Sequence, residues 1–298
     1  MTENHALDCV NDAIGNTPLV RVGEVYAKLE TYNPIGSVKD RMAAFMISQA
    51  EDRGELKAGS KIIEVTTGNT GIAFAMLSAA RGYKFTAVMP ESMSIERRKM
   101  MLAFGAELVL TPAAADMPGA IAKYNELVKA NPDAWLPKQF ENPDNVEAHR
   151  RGIGKEIVEQ TGGNVSAVVA GMGTGGTLMG IARALKDAGL KTKVIGVEPA
   201  ESAVLTGGPV GIHGIQGIGE GFVPKIIAEN RGMLDEVYAI GTKESIDTSR
   251  MIAKKYGYLV GISSGANYLA ALSAKEKYGG TVVTVFADRG ERYLSSME

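Results

Sequence analysis

One feature constrains this chain more than any other. Short apolar runs alternate with longer stretches of helical period along most of its 298 residues. The runs expected as strands are Val25–Glu30, Lys61–Val65, Phe85–Met89, Glu107–Thr111, Ala134–Pro137, Ala167–Ala170, Lys193–Val197, Val237–Ile240 and Thr281–Phe286. The expected helices are Val38–Arg53, Thr70–Arg81, Ile95–Phe104, Met117–Ala130, Val146–Gln160, Leu178–Ala188, Lys243–Tyr256 and Ala266–Lys277. Repeated strand–helix–strand order predicts an α/β protein with mainly parallel sheets flanked by helices. The strands read as near-continuous apolar runs, as sheets buried on both faces require. With 45% hydrophobic residues, the chain can bury one large core or two modest ones.

Four loops interrupt this pattern where a strand ends or a helix begins. The first is Asn33-Pro34-Ile35-Gly36-Ser37-Val38-Lys39-Asp40-Arg41. It places Lys39 in a first helical turn, against the positive end of the helix dipole. That field favours the neutral, nucleophilic amine. Taken alone, the same residues also describe a surface lysine beside Asp40 and Arg41. The second loop, Thr66-Thr67-Gly68-Asn69-Thr70-Gly71, offers hydroxyls, an amide and free backbone N–H groups at a helix start. That combination suits an anion such as a carboxylate. A plain cap would need only one of these residues. The fourth, Gly261-Ile262-Ser263-Ser264-Gly265-Ala266, is by itself explained by a capping serine.

The third loop, Gly171-Met172-Gly173-Thr174-Gly175-Gly176-Thr177, follows a strand and opens a helix. Its glycines let backbone N–H groups converge on a phosphate. Gly171, Gly173 and Gly176 also satisfy G-x-G-x-x-G, and Glu198 lies 22 residues past Gly176 at the end of the next strand. A dinucleotide site with a ribose-binding acid fits this spacing. On motif physics alone, an NAD-binding oxidoreductase and a pyridoxal-phosphate enzyme stand nearly level. The glycine-rich segment Gly207–Gly221 follows neither period and is expected to be a long functional loop.

Composition removes other classes. The formal net charge of −2 provides no basic surplus for nucleic acid. No apolar run is long enough for a membrane span. Met1–Asp12 lacks the basic and apolar regions of a secretory signal. Cys9 is the only cysteine, and His5, His149 and His213 show no paired spacing. Neither a disulfide nor a structural metal is expected, and a reducing cytoplasm is the natural compartment.

Together the loops resemble the fold-type II pyridoxal-phosphate enzymes, specifically the cysteine synthase (O-acetylserine sulfhydrylase) and cystathionine β-synthase group. The resemblance begins at Ile14-Gly15-Asn16-Thr17-Pro18-Leu19-Val20 and includes Gln139-Phe140-Glu141-Asn142-Pro143 and Ile215-Gln216-Gly217-Ile218-Gly219. It ends at Gly290-Glu291-Arg292-Tyr293-Leu294-Ser295, covering nearly the whole chain in order. It implies a two-domain, tryptophan synthase β-like fold. Residues 36–143 would form a smaller mobile domain, and 1–35 with 144–298 a larger one carrying the phosphate loop. Lys39 would form the internal aldimine and move the substrate α-proton. Asn69 would bond the cofactor's ring oxygen, and Thr66, Thr67, Thr70 and Gln139 the substrate carboxylate. Gly173, Thr174, Gly175, Gly176 and Thr177 would cradle the phosphate, and Ser263 would face the pyridine nitrogen, with Ser264 the alternative.

The activity implied is β-replacement by way of an aminoacrylate, turning O-acetyl-L-serine and sulfide into L-cysteine and acetate. Homocysteine with serine, or O-phosphoserine with sulfide, are the alternatives. The group also implies a homodimer and, in some relatives, association with serine acetyltransferase. Two positions depart from the cysteine synthase pattern: Thr67 where Ser is usual, and Glu220 where a small residue is usual.

Overall fold

The computed structural model describes Leu7 and residues 9–296 apart from Thr67, with backbone only at Asp116, Ser295 and Ser296. In chain order the regular elements are β1 (Leu19–Val22), β2 (Val25–Leu29), α1 (Lys39–Asp52), β3 (Lys61–Val65), α2 (Asn69–Arg81), β4 (Lys84–Pro90), α3 (Ile95–Ala103), β5 (Glu107–Thr111), α4 (Asp116–Ala130), α5 (Pro143–His149), α6 (Lys155–Thr161), β6 (Ala167–Gly171), α7 (Gly176–Asp187), β7 (Lys193–Pro199), α8 (Lys225–Asn230), β8 (Glu236–Ile240), α9 (Thr242–Tyr256), α10 (Ile262–Tyr278) and β9 (Val282–Phe286).

These elements divide into two compact units. The smaller takes in the described part of Met1–Gly15, with Asn33–Ile35 and Lys39–Lys138. Its sheet runs β3-β4-β5, all parallel. Alternation along β3 sends Ile62 to one face and Ile63 to the other. Ile62 joins the apolar residues of α1 and α2, including Met42, Ile47, Phe74 and Leu77. Ile63 joins Val65, Val88 and Ala120 beneath α4.

The larger unit comprises Asn16–Tyr32, Gly36–Val38 and Gln139–Glu298. Its sheet has the order β1-β2-β9-β6-β7-β8, parallel except for the β1–β2 hairpin. Ala167 and Val169 on β6 face the helices α9 and α10, while Val168 and Ala170 face α5 to α8. Lys28 is wholly buried on β2. Its ammonium donates to Thr17 O and to Gln160 Oε1 (2.9 Å) and pairs with Glu156 at 2.6 Å. A buried cation is tolerable only with such a set of partners.

The boundaries differ from those expected. Residues leading to Gly15 group with the smaller unit because Val10 and Ile14 pack on its core and Asn11 accepts from Arg81. Gly36–Val38 group with the larger unit because Val38 N–H donates to Ala287 O (2.8 Å) and Arg289 N–H to Gly36 O (3.1 Å). Gly36 has φ +76, and a Cβ there would stand 2.6 Å from Arg289 Cδ, so both backbone and space demand glycine. Gln139 and Phe140 belong with the larger unit, where Gln139 O accepts from Asn145 and Phe140 O from Ile226.

Two expected elements are corrected. Ala134–Pro137 is no strand; only Trp135 bridges to Ile62. The expected helix Val146–Gln160 is broken by a π-helical turn at Arg150–Gly154, where Gly152 leaves helical geometry (φ −95, ψ −106). The hairpin strand β1 and the short α8 were not expected. Among the described residues no helix is long and apolar enough to cross a membrane.

Candidate active site

In the smaller unit, Lys39 is the first residue of α1 and is half-buried. Buried Asp40 accepts the Ile35 N–H at 2.9 Å and so fixes the turn leading to the helix. The second loop closes on its own threonine. Thr66 Oγ1 accepts the N–H groups of Gly68 (3.3 Å) and Gly71 (3.2 Å). Asn69 and Thr70 then open α2, whose N-cap Gly68 provides no side-chain cap. A helix N-terminus of this kind suits an anion, and here Thr66 takes up the Gly71 N–H of the first turn. The Thr66 hydroxyl is therefore engaged in holding the loop, while Thr70 is buried at the helix start. Thr67 lies outside the described residues.

In the larger unit, Gly171 ends β6 and Gly176 begins α7. Gly175 has φ +86, a region only glycine enters freely. The loop leaves no room for side chains. A Cβ would stand 2.5 Å from Gly217 O at Gly173, 2.5 Å from Ile227 at Gly175 and 1.9 Å from Asn145 Oδ1 at Gly176. The Gly175 N-cap again lacks a side-chain cap. The long loop after β7 walls this cradle: Gly219 N–H donates to Met172 O at 3.1 Å. Its Phe222 stacks edge-on against Phe140, next to Gln139, at 5.4 Å.

Helix α5 buttresses the same loop with two residues that sequence reasoning missed. Wholly buried Asn145 donates from Nδ2 to Gln139 O (2.7 Å) and to Thr174 Oγ1 (3.0 Å). One helical turn on, His149 Nε2 lies 3.3 Å from Thr177 Oγ1. The i, i+4 spacing just after Gln139-Phe140-Glu141-Asn142-Pro143 was the available signal. Thr177 thus turns its hydroxyl to His149, and Thr174 turns its own to Asn145. Thr174 Oγ1 also accepts the Gly176 N–H at 3.3 Å, so the loop braces its own helix start.

Ser263 and Ser264 occupy the start of α10. Ser264 Oγ accepts the Ala287 N–H at 3.1 Å. Ser263 is a buried residue at the same helix start. Of the two, Ser264 has its hydroxyl engaged within the fold. Asp288 crowds the N-cap Gly261, where a Cβ would stand 2.0 Å from its Oδ1, and accepts from the Tyr293 hydroxyl.

The dinucleotide reading loses its acid. Glu198 is buried at the end of β7. Its carboxylate accepts Leu205 N–H (2.7 Å), Thr206 N–H (3.1 Å) and Thr206 Oγ1–H (2.6 Å). It holds the turn after β7 and is not available to a ribose. Within the larger unit, a phosphate cradle without its ribose acid and an uncharged hydroxyl at a second helix start fit a ligand bearing a phosphate and a pyridine nitrogen.

Residues 10–288 match the model of the pyridoxal-phosphate-dependent enzyme family, and the chain belongs to that family. Within it, the chain is 45% identical to a cysteine synthase of Staphylococcus aureus, covering 97% of this chain and 96% of that one. The crystal structure of cysteine synthase (OASS) from Entamoeba histolytica superposes with a TM-score of 0.94 at 42% identity, covering 99% of this chain and 91% of the other. That of an O-acetylserine-dependent cystathionine β-synthase from Helicobacter pylori gives 0.91 at 40% identity, covering 97% and 98%. The fold is therefore the fold-type II architecture, and the cofactor of this enzyme is pyridoxal phosphate.

Proposed function

We propose that the chain is a β-replacement enzyme that converts O-acetyl-L-serine and hydrogen sulfide into L-cysteine and acetate. The 45% identity to a cysteine synthase across 97% of the chain carries this reading, and the engagement of Ser264 by the Ala287 N–H, which leaves Ser263 as the candidate partner of the ring nitrogen, supports it. When bound, pyridoxal phosphate supplies the electron sink that lets an α-proton and a β-substituent leave. The residues divide the remaining work. Lys39 would hold the cofactor by its amine and would serve as the base that takes and returns the substrate α-proton. Asn69 orients the cofactor ring through its ring oxygen. Thr66, Thr67, Thr70 and Gln139 form the carboxylate site, Thr66 by shaping the loop. The amides of Gly173, Thr174, Gly175, Gly176 and Thr177 hold the phosphate. Ser263 would face the ring nitrogen as a neutral partner, which would not hold that nitrogen protonated as a carboxylate would. Elimination of a good leaving group needs no stronger sink.

A second acceptor, homocysteine, is favoured by the structural match to the Helicobacter pylori enzyme. The deciding experiment offers O-acetylserine, O-phosphoserine and serine, each with sulfide and with homocysteine. Cysteine from O-acetylserine and sulfide should dominate; a preference for homocysteine would overturn the choice of acceptor. Lys39→Ala should remove both turnover and the visible absorbance of the lysine-bound cofactor. A protein that takes up no pyridoxal phosphate would defeat the reading altogether. The same reading expects a cytoplasmic homodimer, tested by sedimentation, with serine acetyltransferase as partner, tested by co-purification.

A further inference from the structure

Helix α3 carries a buried arginine that no step above uses. Arg97 is 4% exposed, whereas Glu96 and Lys99 on the same helix are exposed. Arginine is almost never buried so deeply without a fixed role. The site of a Cβ on Gly68 lies 2.9 Å from Arg97 Nε, 3.0 Å from Cδ and 3.1 Å from Cζ. One turn further along α3, Met101 Sδ lies 2.6 Å from the corresponding point on Gly71. Side chains at i and i+4 on α3 thus fill the spaces left by the two glycines of the Thr66–Gly71 loop. The N-cap Ser94 accepts the Arg97 N–H at 3.5 Å and so sets where the helix begins.

We infer that Arg97 is a positioning residue for the substrate-carboxylate loop, acting through Gly68. The inference rests on the proposed function, because that reading makes this loop the carboxylate site. Two physical effects combine. The side chain supports the loop backbone from behind at Gly68, the residue before the first turn of α2. The guanidinium adds a positive charge beside a site for an anion, where low-dielectric surroundings strengthen its effect.

The two effects separate by substitution. Arg97→Met keeps the bulk and removes the charge; Arg97→Lys keeps the charge and removes the planar group. The holoenzyme is titrated with O-acetylserine by cofactor absorbance and by steady-state turnover. Hydrogen exchange of residues 66–71 is measured alongside. Arg97→Met should raise half-saturation about tenfold and Arg97→Lys about threefold, with kcat within about threefold of wild type. Cofactor occupancy should be unchanged, and exchange should quicken in the loop but not in β4 or α4. Wild-type half-saturation and loop exchange in a folded variant would overturn the inference. So would a loss confined to kcat and cofactor occupancy. Should Arg97→Met fail to fold, Arg97→Lys carries the same test. A wild-type protein inert toward O-acetylserine would refute the reaction assigned above, and loop exchange would then decide the role of Arg97 alone.

Discussion

Consider Gly173→Ala. The added Cβ would stand 2.5 Å from Gly217 O, against the 3.4 Å where ordinary contact begins. Relief requires a separation of about 0.9 Å, and the obstacle is backbone, so no rotamer change provides it. The 217–219 loop is tied to the cradle by Gly219 N–H to Met172 O at 3.1 Å. Moving one therefore drags the other. Overpacking of this kind costs about 1–3 kcal/mol. If the distortion falls on the bound state, cofactor affinity drops about 5- to 150-fold, since about 1.4 kcal/mol is tenfold. Apo-protein titrated with pyridoxal phosphate and followed by absorbance measures this directly. Gly232→Ala is the control, because nothing lies within 4 Å of its Cβ position and its φ is not positive. Wild-type affinity in Gly173→Ala, or an equal loss in Gly232→Ala, would refute the assignment of this loop as a close-fitting cradle.

Other outcomes follow from single contacts. Ser264→Ala should lower stability by about 1 kcal/mol in a urea melt, because it removes the acceptor of the half-buried Ala287 N–H. Ser263→Ala should leave the melt unchanged and shift the cofactor absorbance; the opposite pattern would exchange their roles. Glu198→Ala, which strands the Leu205 and Thr206 donors, should cost about 2–4 kcal/mol in the same melt. Neither it nor the parent should bind a nicotinamide nucleotide in a fluorescence titration. Burial, with the neighbouring Glu51 carboxylate accepting at 2.6 Å, pushes the Tyr83 phenol up to about 12. The folded state then keeps a proton that the unfolded chain loses near its ordinary value of 10.0. This stabilisation is full below about pH 10 and is lost as pH rises toward about 12. Tyr83→Phe should flatten that part of the alkaline melting profile.

Much of the fold was legible because burial on both faces writes itself into sequence. The apolar runs that became β3, β5, β6 and β9 were placed within a residue at either end. What escaped depends on contacts distant in sequence. β1 is a four-residue hairpin arm with a charged Arg21, too short to show a period. Trp135 looked like part of a strand because it packs against Phe74 and Ile62, yet Ala134–Pro137 pairs only once. Gly152 broke a helix that periodicity carried straight through. The glycine-rich loops were visible as a site because excess glycine has no cheaper explanation. Asn145 and Arg97 were not, since each depends on which neighbour takes a hydrogen bond or fills a gap.

The position of β9 has a consequence for how the protein is made. The last strand in sequence sits in the middle of the larger sheet, paired with β2 on one side and β6 on the other. Until it leaves the ribosome, β1–β2 and β6–β7–β8 have no partner to join them. The turn before Lys39 likewise waits for Ala287 to accept from Val38. The stretch Lys39–Lys138, by contrast, has its sheet complete early. Synthesis should therefore yield a nascent chain with one half ordered and the other held open by its missing central strand. The exposed edges of β2 and β6 would need protection in that interval.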